Sequence, residues 1–405
     1  MSKWEEQKFG DLYLIPSRNG LTRPSSVRGA GYKFINMGEI FAYNRIGNIE
    51  TELVQLNEKE KKEMTLQKND LLFARQSLVF TGAGKCSIML DLEDVVSFES
   101  HIIRVRLNPE IANPMFYYYY FSLPYNSVKT IVQQCAQAGI RGSDLEKIKV
   151  PCPYIEIQNQ IADILSAYDD LIEANNRRIE LLEQVAQELY KEWFVRFRFP
   201  GYENAKFEDG IPEGWAIKRM NEFCYVTDGT HDTPKPVDVG VPLVTGRCIS
   251  SGFVDFDAAY NISETDHIGI KKRSGLKSGD ILFSNIGTVG NCCVVDYNRE
   301  FSVKNVIIFK PETMRDTAYL YYWMTSSTMQ EIFGTQTNGA SQQFVGLTFM
   351  RRYKLLVPKD DILEAFAEKV SPIVEQKRLS HQKNLNLAAQ RDMLLPRLMS
   401  GKLEV

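Results

Sequence analysis

The sequence predicts an α+β chain: two similar, strand-rich mixed domains separated by two long antiparallel coiled-coil helices. The first observation behind this is an internal repeat. Among the 405 residues, Lys68-Asn69-Asp70-Leu71-Leu72-Phe73 returns as Lys277-Ser278-Gly279-Asp280-Ile281-Leu282-Phe283, Val150-Pro151 as Val357-Pro358, and Trp4 as Trp215. The displacements are 210, 207 and 211 residues, a spacing too long for a solenoid unit and the size of a domain. The second observation is a change of hydrophobic period. Each copy runs from its Val-Pro into a helical stretch, Ile157 to Phe194 in the first and Ile362 to Leu398 in the second. These signals divide the chain into a first domain at 1–155, a first long helix at 156–200, a second domain at 201–358 and a second long helix at 359–405.

The first domain opens with short strand-like runs at Tyr32–Ile35, Asp70–Ala74, Ser87–Leu90 and His101–Leu107, punctuated by Gly and Asn. Pro114 to Phe121 begins a helix expected to run toward Gln134. Its counterpart starts at Thr317 and runs to Phe333. The aromatic residues in both follow one another directly, which suits a core helix better than a base-stacking platform. After Val150-Pro151, residues Ile157, Ile161, Ile164, Tyr168, Leu171 and Asn175 step by four and three. Ile179, Leu182, Ala186, Leu189 and Trp193 continue the seam, a heptad pattern in which Asn175 would fix register. Phe199-Pro200-Gly201-Tyr202 breaks the helix. The second domain repeats the strand pattern at Val241–Thr245 and Phe301–Phe309. The second helix presents Phe366, Val370, Ile373, Lys377, Asn384, Leu387, Arg391 and Leu394. A stripe carrying Lys377 and Asn384 is too polar to stand alone, so this helix should pack against the first.

Composition narrows the function. A hydrophobic content of 44% and an aromatic content of 11% support packed cores. No run approaches 18 apolar residues and the N-terminus has no apolar signal core, so the expectation is a cytoplasmic protein with no membrane association. Seven cysteines, an odd number with no C-x-x-C, and four scattered histidines, His101, His231, His267 and His381, offer no metal set. The net charge is −3, and the four segments carry +2, −4, −2 and +1 in order. A protein that held DNA alone would be more basic. Either the basic surface is local or a partner supplies phosphate contacts.

Catalytic signatures are missing. Gly82-Ala83-Gly84-Lys85-Cys86 lacks the spacing and the hydroxyl of a phosphate-binding loop, and its counterpart Gly287–Asn291 lacks the lysine, so both read as tight turns. Asn108-Pro109 and Asn113-Pro114 do not continue into the Pro-Tyr or Pro-Phe of an amino-methyltransferase motif. Thr230-His231-Asp232 sits in a Gly/Thr/Pro-rich stretch and reads as a loop. Two recognition-sized domains without chemistry favour a non-catalytic binding subunit.

The chain resembles the specificity subunit of type I restriction-modification systems over its whole length. The resemblance rests on Ile161–Ile172 flowing into Asn175–Glu183 and Tyr190-Lys191-Glu192-Trp193-Phe194, on the tail Arg391–Leu403, and on Ile211-Pro212-Glu213-Gly214-Trp215 at the start of the second domain. It implies two target-recognition domains, each reading half of a split sequence in double-stranded DNA. The helices would act as a ruler and as the docking site for two methyltransferase (M) subunits. Those partners would carry S-adenosylmethionine, and restriction (R) subunits, where present, would cut. This chain would hold no cofactor.

Base reading by loop side chains, Arg to guanine and Asn or Gln to adenine, nominates Asn36, Arg75, Lys85, His101 and Arg141 in the first domain. In the second it nominates Thr245, Arg247, Asn285, Lys304, Asn305, Gln342 and Gln343. Three of these form equivalent pairs: Asn36 with Thr245, Arg75 with Asn285, and His101 with Lys304. Helix packing and docking are assigned to Ile164, Tyr168, Leu171, Asn175, Ile179, Leu182, Leu189 and Trp193, with Phe366, Val370, Ile373, Leu387 and Leu394. A continuous helix over 157–194 spans roughly 57 Å at about 1.5 Å per residue, which predicts a bipartite target with a few unread base pairs between its halves. Competing readings are a methylation-only or fused system, a structural adaptor that never touches DNA, and an enzyme with an unrecognised site.

Overall fold

The computed structural model describes residues 4–134, 138–250, 252–296, 299–336 and 344–405. The chain forms two compact units, Met1–Asn175 with Gln382–Val405, and Asn176–His381.

In the first unit a five-stranded sheet runs in the order Tyr13–Asn19, Ile102–Leu107, Leu71–Ala74, Cys86–Met89, Arg45–Ile46. The second unit repeats four of these places as Tyr225–Asp228, Val306–Lys310, Ile281–Ser284, Cys292–Val294. Each unit adds a three-stranded sheet: Glu52–Val54, Arg28–Ile35 and Val96–Phe98 in the first, Tyr260–Ile262, Val241–Thr245 and Ser302–Lys304 in the second. The central strand of each pairs antiparallel on one side and parallel on the other. The repeated Val-Pro has a structural reason. Lys149–Pro151 pairs with Glu6–Lys8, and Lys354–Val357 pairs with Ala216–Arg219, so in each domain the last strand closes against one near its start.

The repeated Asp is the buried anchor of both sheets. Asp70 is fully buried, and its two oxygens accept from Arg106 Nε at 2.6 Å and Nη2 at 2.7 Å while Oδ2 also takes the Gln67 N–H at 2.8 Å. Asp280, equally buried, accepts from Lys310 Nζ at 2.5 Å and from the Lys277 N–H at 2.9 Å. The residue before each has positive φ, 70° at Asn69 and 89° at Gly279. That turn is open to Gly and Asn at little cost, hence Asn-Asp in one copy and Gly-Asp in the other.

The aromatic helices are core, as expected, but shorter. Asn113 caps Pro114–Ser122, accepting from the Met115 and Phe116 N–H groups, and Phe116, Tyr117 and Tyr119 are buried. The helix ends before Leu123-Pro124, since proline pushes the residue before it out of the helical region; a separate short 3-10 turn follows at Ser127–Ile131. In the second copy the run divides into Met314–Met324 and Ser327–Gln336, with Thr325 and Ser326 returning their hydroxyls to the Tyr321 and Trp323 carbonyls at the break.

The first long helix spans Ile155–Tyr190 and continues as a π turn over Lys191–Val195. It stops before the Pro-Gly breaker because Phe197 takes φ 56°. Trp193 and Phe194 plug into the second unit's core against Phe366, at 5.9 and 4.9 Å between ring centres. The second long helix spans Asp360–Met399. No helix among the described residues is long and apolar enough to cross a membrane.

His381 lies flat on Phe253, ring centres 3.9 Å apart. Burial lowers its pKa, against a smaller opposing pull from Asp255. The folded pKa is thus below the unfolded value of about 6.5, so the unfolded chain takes the proton first. Stability should fall as pH drops below about 6.5 toward the folded pKa. His381→Phe is expected to flatten that part of a urea-midpoint versus pH curve.

Candidate nucleic-acid interface

In the first domain, backbone bonds gather most of the nominated side chains at one end of the five-stranded sheet. The Arg75 N–H donates to the His101 carbonyl at 2.8 Å, and the Ile140 N–H donates to the Arg75 carbonyl at 2.9 Å, which brings Arg141 alongside. The Ala74 N–H donates to the Lys85 carbonyl at 2.8 Å. His101 and Arg141 are exposed; Arg75 and Lys85 are half-buried. Asn36 closes the strand Arg28–Ile35 and caps the next helix, with its carboxamide held between Arg28 at 3.0 Å and Glu52 at 3.1 Å.

The second domain builds the same frame with other chemistry. Thr245 ends its strand at the place of Asn36, paired with Lys304. Asn305, at φ 51°, receives His231 Nδ1 at 3.0 Å, and the other ring nitrogen meets Asp228 at 2.9 Å. Arg273 donates to the same carboxylate at 2.5 Å. Lys304 donates to the Thr233 hydroxyl. Arg247 is exposed, with one bond to the Ala258 carbonyl at 3.3 Å. Asn285 does occupy the place of Arg75, but it is buried and braces Val345, donating to its carbonyl at 3.3 Å. Gln342 and Gln343 lie outside the described residues.

One expected equivalence needs correcting. Leu21 bridges to Glu99 in the first domain and Thr230 to Lys304 in the second. Ile102 pairs with Ala74, and Val306 with Ser284. Glu99 is therefore the counterpart of Lys304, and Ser100-His101 stands where the second domain has Asn305 alone. The difference is one extra polar residue, three between Phe98 and Ile102 against two between Val303 and Val306, which a gapless alignment of the two copies passes over. Glycine marks the true register: a Cβ on Gly20 would sit 2.1 Å from the Phe98 carbonyl oxygen, and one on Gly229 2.2 Å from that of Val303. Sequence reasoning also passed over His231 and Arg273. Neither is nominated by a local motif, and they meet Asn305 and Asp228 only through long-range folding.

The helices pair antiparallel within each unit. In the first, Asp169 accepts from Arg391 and from the Tyr119 hydroxyl at 2.6 Å, and Asn175 donates to Asn384 at 2.8 Å. In the second, Lys377 is buried against Glu183, and Arg178 donates to Gln376 at 2.8 Å. The polar inner stripe expected of the second helix is therefore present. Ile179, Trp193, Phe366 and Val370 are buried, and Tyr168, Asn175, Leu182, Leu189, Ile373, Leu387 and Leu394 are half-buried. Ile164 and Leu171 are not on the seam; they are 38% and 55% exposed. The buried positions there are Ile161, Leu165 and Asp169. Asp169, a charged residue beside that seam, is buried because Arg391 and Tyr119 satisfy it.

Among the described residues no group of three or more His, Cys, Asp or Glu side chains is placed to hold a metal ion. Residues 1–184 match the family model described as the type I restriction modification DNA specificity domain. The type I restriction enzyme MjaIX specificity subunit of Methanocaldococcus jannaschii is 27% identical, covering 66% of this chain and 63% of its own, so this chain spans under two thirds of that relative. The MjaVIII specificity subunit of the same organism is 23% identical over 99% of this chain and 93% of its own. The crystal structure of a type I restriction-modification S subunit from M. genitalium shares the fold, with a TM-score of 0.55, 14% identity, and coverage of 98% of this chain and 96% of that one. The duplicated domains and paired helices are thus the fold seen in that S subunit. Over most of its length the chain is similar to type I restriction enzyme specificity subunits.

Proposed function

We propose that this chain is the sequence-reading subunit of a type I restriction-modification assembly, with target-recognition domains at 1–155 and 201–358. The observation that carries the reading is a shared frame with different chemistry at equivalent places: Asn36 and Thr245, Glu99 and Lys304, and Ser100-His101 and Asn305. Two readers of unlike half-sites need that combination. Base edges are read by bidentate polar side chains while phosphate contacts set position. The exposed and half-buried members of the nominated set, Arg75, Lys85, His101 and Arg141 in one domain and Thr245, Arg247, Lys304 and Asn305 in the other, are the proposed DNA contacts. The chain transfers no methyl group itself; two methyltransferase subunits bring S-adenosylmethionine, and restriction subunits join where the system has them. The assembly works in the cytoplasm.

A gel shift with the chain, its methylating partner and genomic fragments tests this. Sequence-selective retention supports the reading, and retention no stronger than with random duplex removes it.

The first long helix offers a docking surface. In the first unit Ile164 and Leu171 are exposed apolar residues about 20° apart at roughly 100° per residue, and in the second unit Leu181 and Val185 are exposed about 40° apart, each pair away from its own unit's buried side. Leu171→Lys and Val185→Lys are expected to weaken partner binding by about 10-fold or more each, since each buried apolar side chain contributes roughly 1.5–3 kcal/mol. Thermal stability of the free chain should barely change. Analytical ultracentrifugation of the mixture checks both.

A further inference from the structure

The first domain carries a loop extension that the second lacks. Phe73 pairs with Cys86 and Phe283 with Cys292 at the same place in the two sheets. The intervening turn is 74–85 in one copy and 284–291 in the other, four residues shorter. The longer turn displays Leu78, Val79 and Phe80 in succession, 87%, 60% and 43% exposed. Three consecutive apolar side chains left in water contribute little to the fold.

The base of this turn is firm. Gln76-Ser77 pairs with Ala138-Gly139, which pairs in turn with Gln133-Gln134. Cations ring it. Lys129 Nζ donates to the Thr81 carbonyl at 2.9 Å, and Lys85 Nζ to the Phe41 carbonyl at 2.9 Å. Arg75 and Arg141 flank it through the backbone bonds already described. Lys85 and Lys129 are held by neutral carbonyls, and burial keeps both ammonium groups below the usual lysine range. An apolar tip inside a cationic collar fits a surface that is charged outside and apolar within, which is a stacked duplex between its phosphates.

We propose that Leu78-Val79-Phe80 is a wedge that enters the base stack of the first domain's half-site while the surrounding cations hold the phosphates on either side. This rests on the DNA-reading function above. The wedge opens a step next to a base that must leave the stack to be methylated. The corresponding turn of the second domain, 284–291, has no such tip among the described residues. That turn folds inward, with Thr288 Oγ1 bonded to Ser284 Oγ at 3.0 Å and to the Gly246 carbonyl at 3.3 Å. Unstacking by a wedge is therefore confined to one half-site, and the two halves are opened differently.

The test uses the full chain with its methylating partner. The probe is a duplex bearing the sequence that the host's methylated adenines define, with 2-aminopurine placed in turn through both half-sites. Wild type should brighten the probe several-fold at one step of the half-site that is retained when residues 201–358 are exchanged. The triple variant Leu78→Ser, Val79→Ser, Phe80→Ser should lose that signal, keep the response of the other half-site, and bind about 10- to 100-fold more weakly. Phe80→Ser alone should reduce the signal and Phe80→Leu should restore most of it. Undiminished brightening with either serine variant overturns the wedge while leaving DNA reading intact. Absence of selective binding by wild type overturns both.

Discussion

Asp70→Ala is expected to cost the first domain about 3–5 kcal/mol, the loss typical when one partner of a buried ion pair is removed. The side chain is fully buried, and Arg106, with only 16% of its side chain exposed, makes its two short guanidinium bonds to it and a longer third to the Thr65 carbonyl at 3.4 Å. Removing the carboxylate leaves that charge without its counter-ion and the Gln67 N–H without its acceptor in a site water barely reaches. Asp280→Ala should act the same way on the second domain by leaving Lys310, whose side chain is 15% exposed, with only the neutral Gly275 carbonyl at 2.7 Å. Lys68→Ala lies two residues from Asp70 in the same motif and supplies the control. Its bond to Asp91 joins two exposed side chains, so about 0–1 kcal/mol is expected. Urea melts followed by tryptophan fluorescence and far-ultraviolet dichroism separate the two classes.

A four-residue insertion in each long helix, at facing points between the Asn175–Asn384 and Glu183–Lys377 pairs, is expected to lengthen the unread gap of the target by about two base pairs. Four residues add about 6 Å of helix, and base pairs stack about 3.4 Å apart. Matched insertions leave the buried pairs on either side intact, including Arg391 with Asp169, where burial opposes the arginine's charge and the Asp169 carboxylate more than restores it. The half-site sequences should not change, because no nominated side chain moves within its own domain. Binding to the original spacing should fall by orders of magnitude as one half-site is lost, since a specific site exceeds non-specific binding by about 10³-fold or more. Altered half-sites with an unaltered gap would contradict the ruler.

Much of this was legible in the sequence because the strongest signals were local. The repeated Asp before an apolar strand and the repeated Val-Pro mark a buried carboxylate and a domain-closing strand, each of which constrains residue type closely. Lys377 and Asn384 announced a paired helix by being polar where a stripe should be apolar. What stayed hidden depended on partners far away in the chain. Asp169 is inside only because Arg391 and Tyr119 reach it, which moved Ile164 and Leu171 to the surface. Asn285 sits where a reader was expected, yet Val345 draws it inward. The match of Lys304 to Glu99 follows from the bridges to Leu21 and Thr230; the sequence shows only that one polar run is a residue longer, not where the extra residue sits.

Long-read sequencing of modified adenines, in a host carrying the chain and its methylating partner, addresses the central claim most directly. The account predicts one split motif with a fixed gap, and replacement of residues 201–358 by another such domain should rewrite one half only. An uninterrupted motif, or both halves changing together, would contradict it.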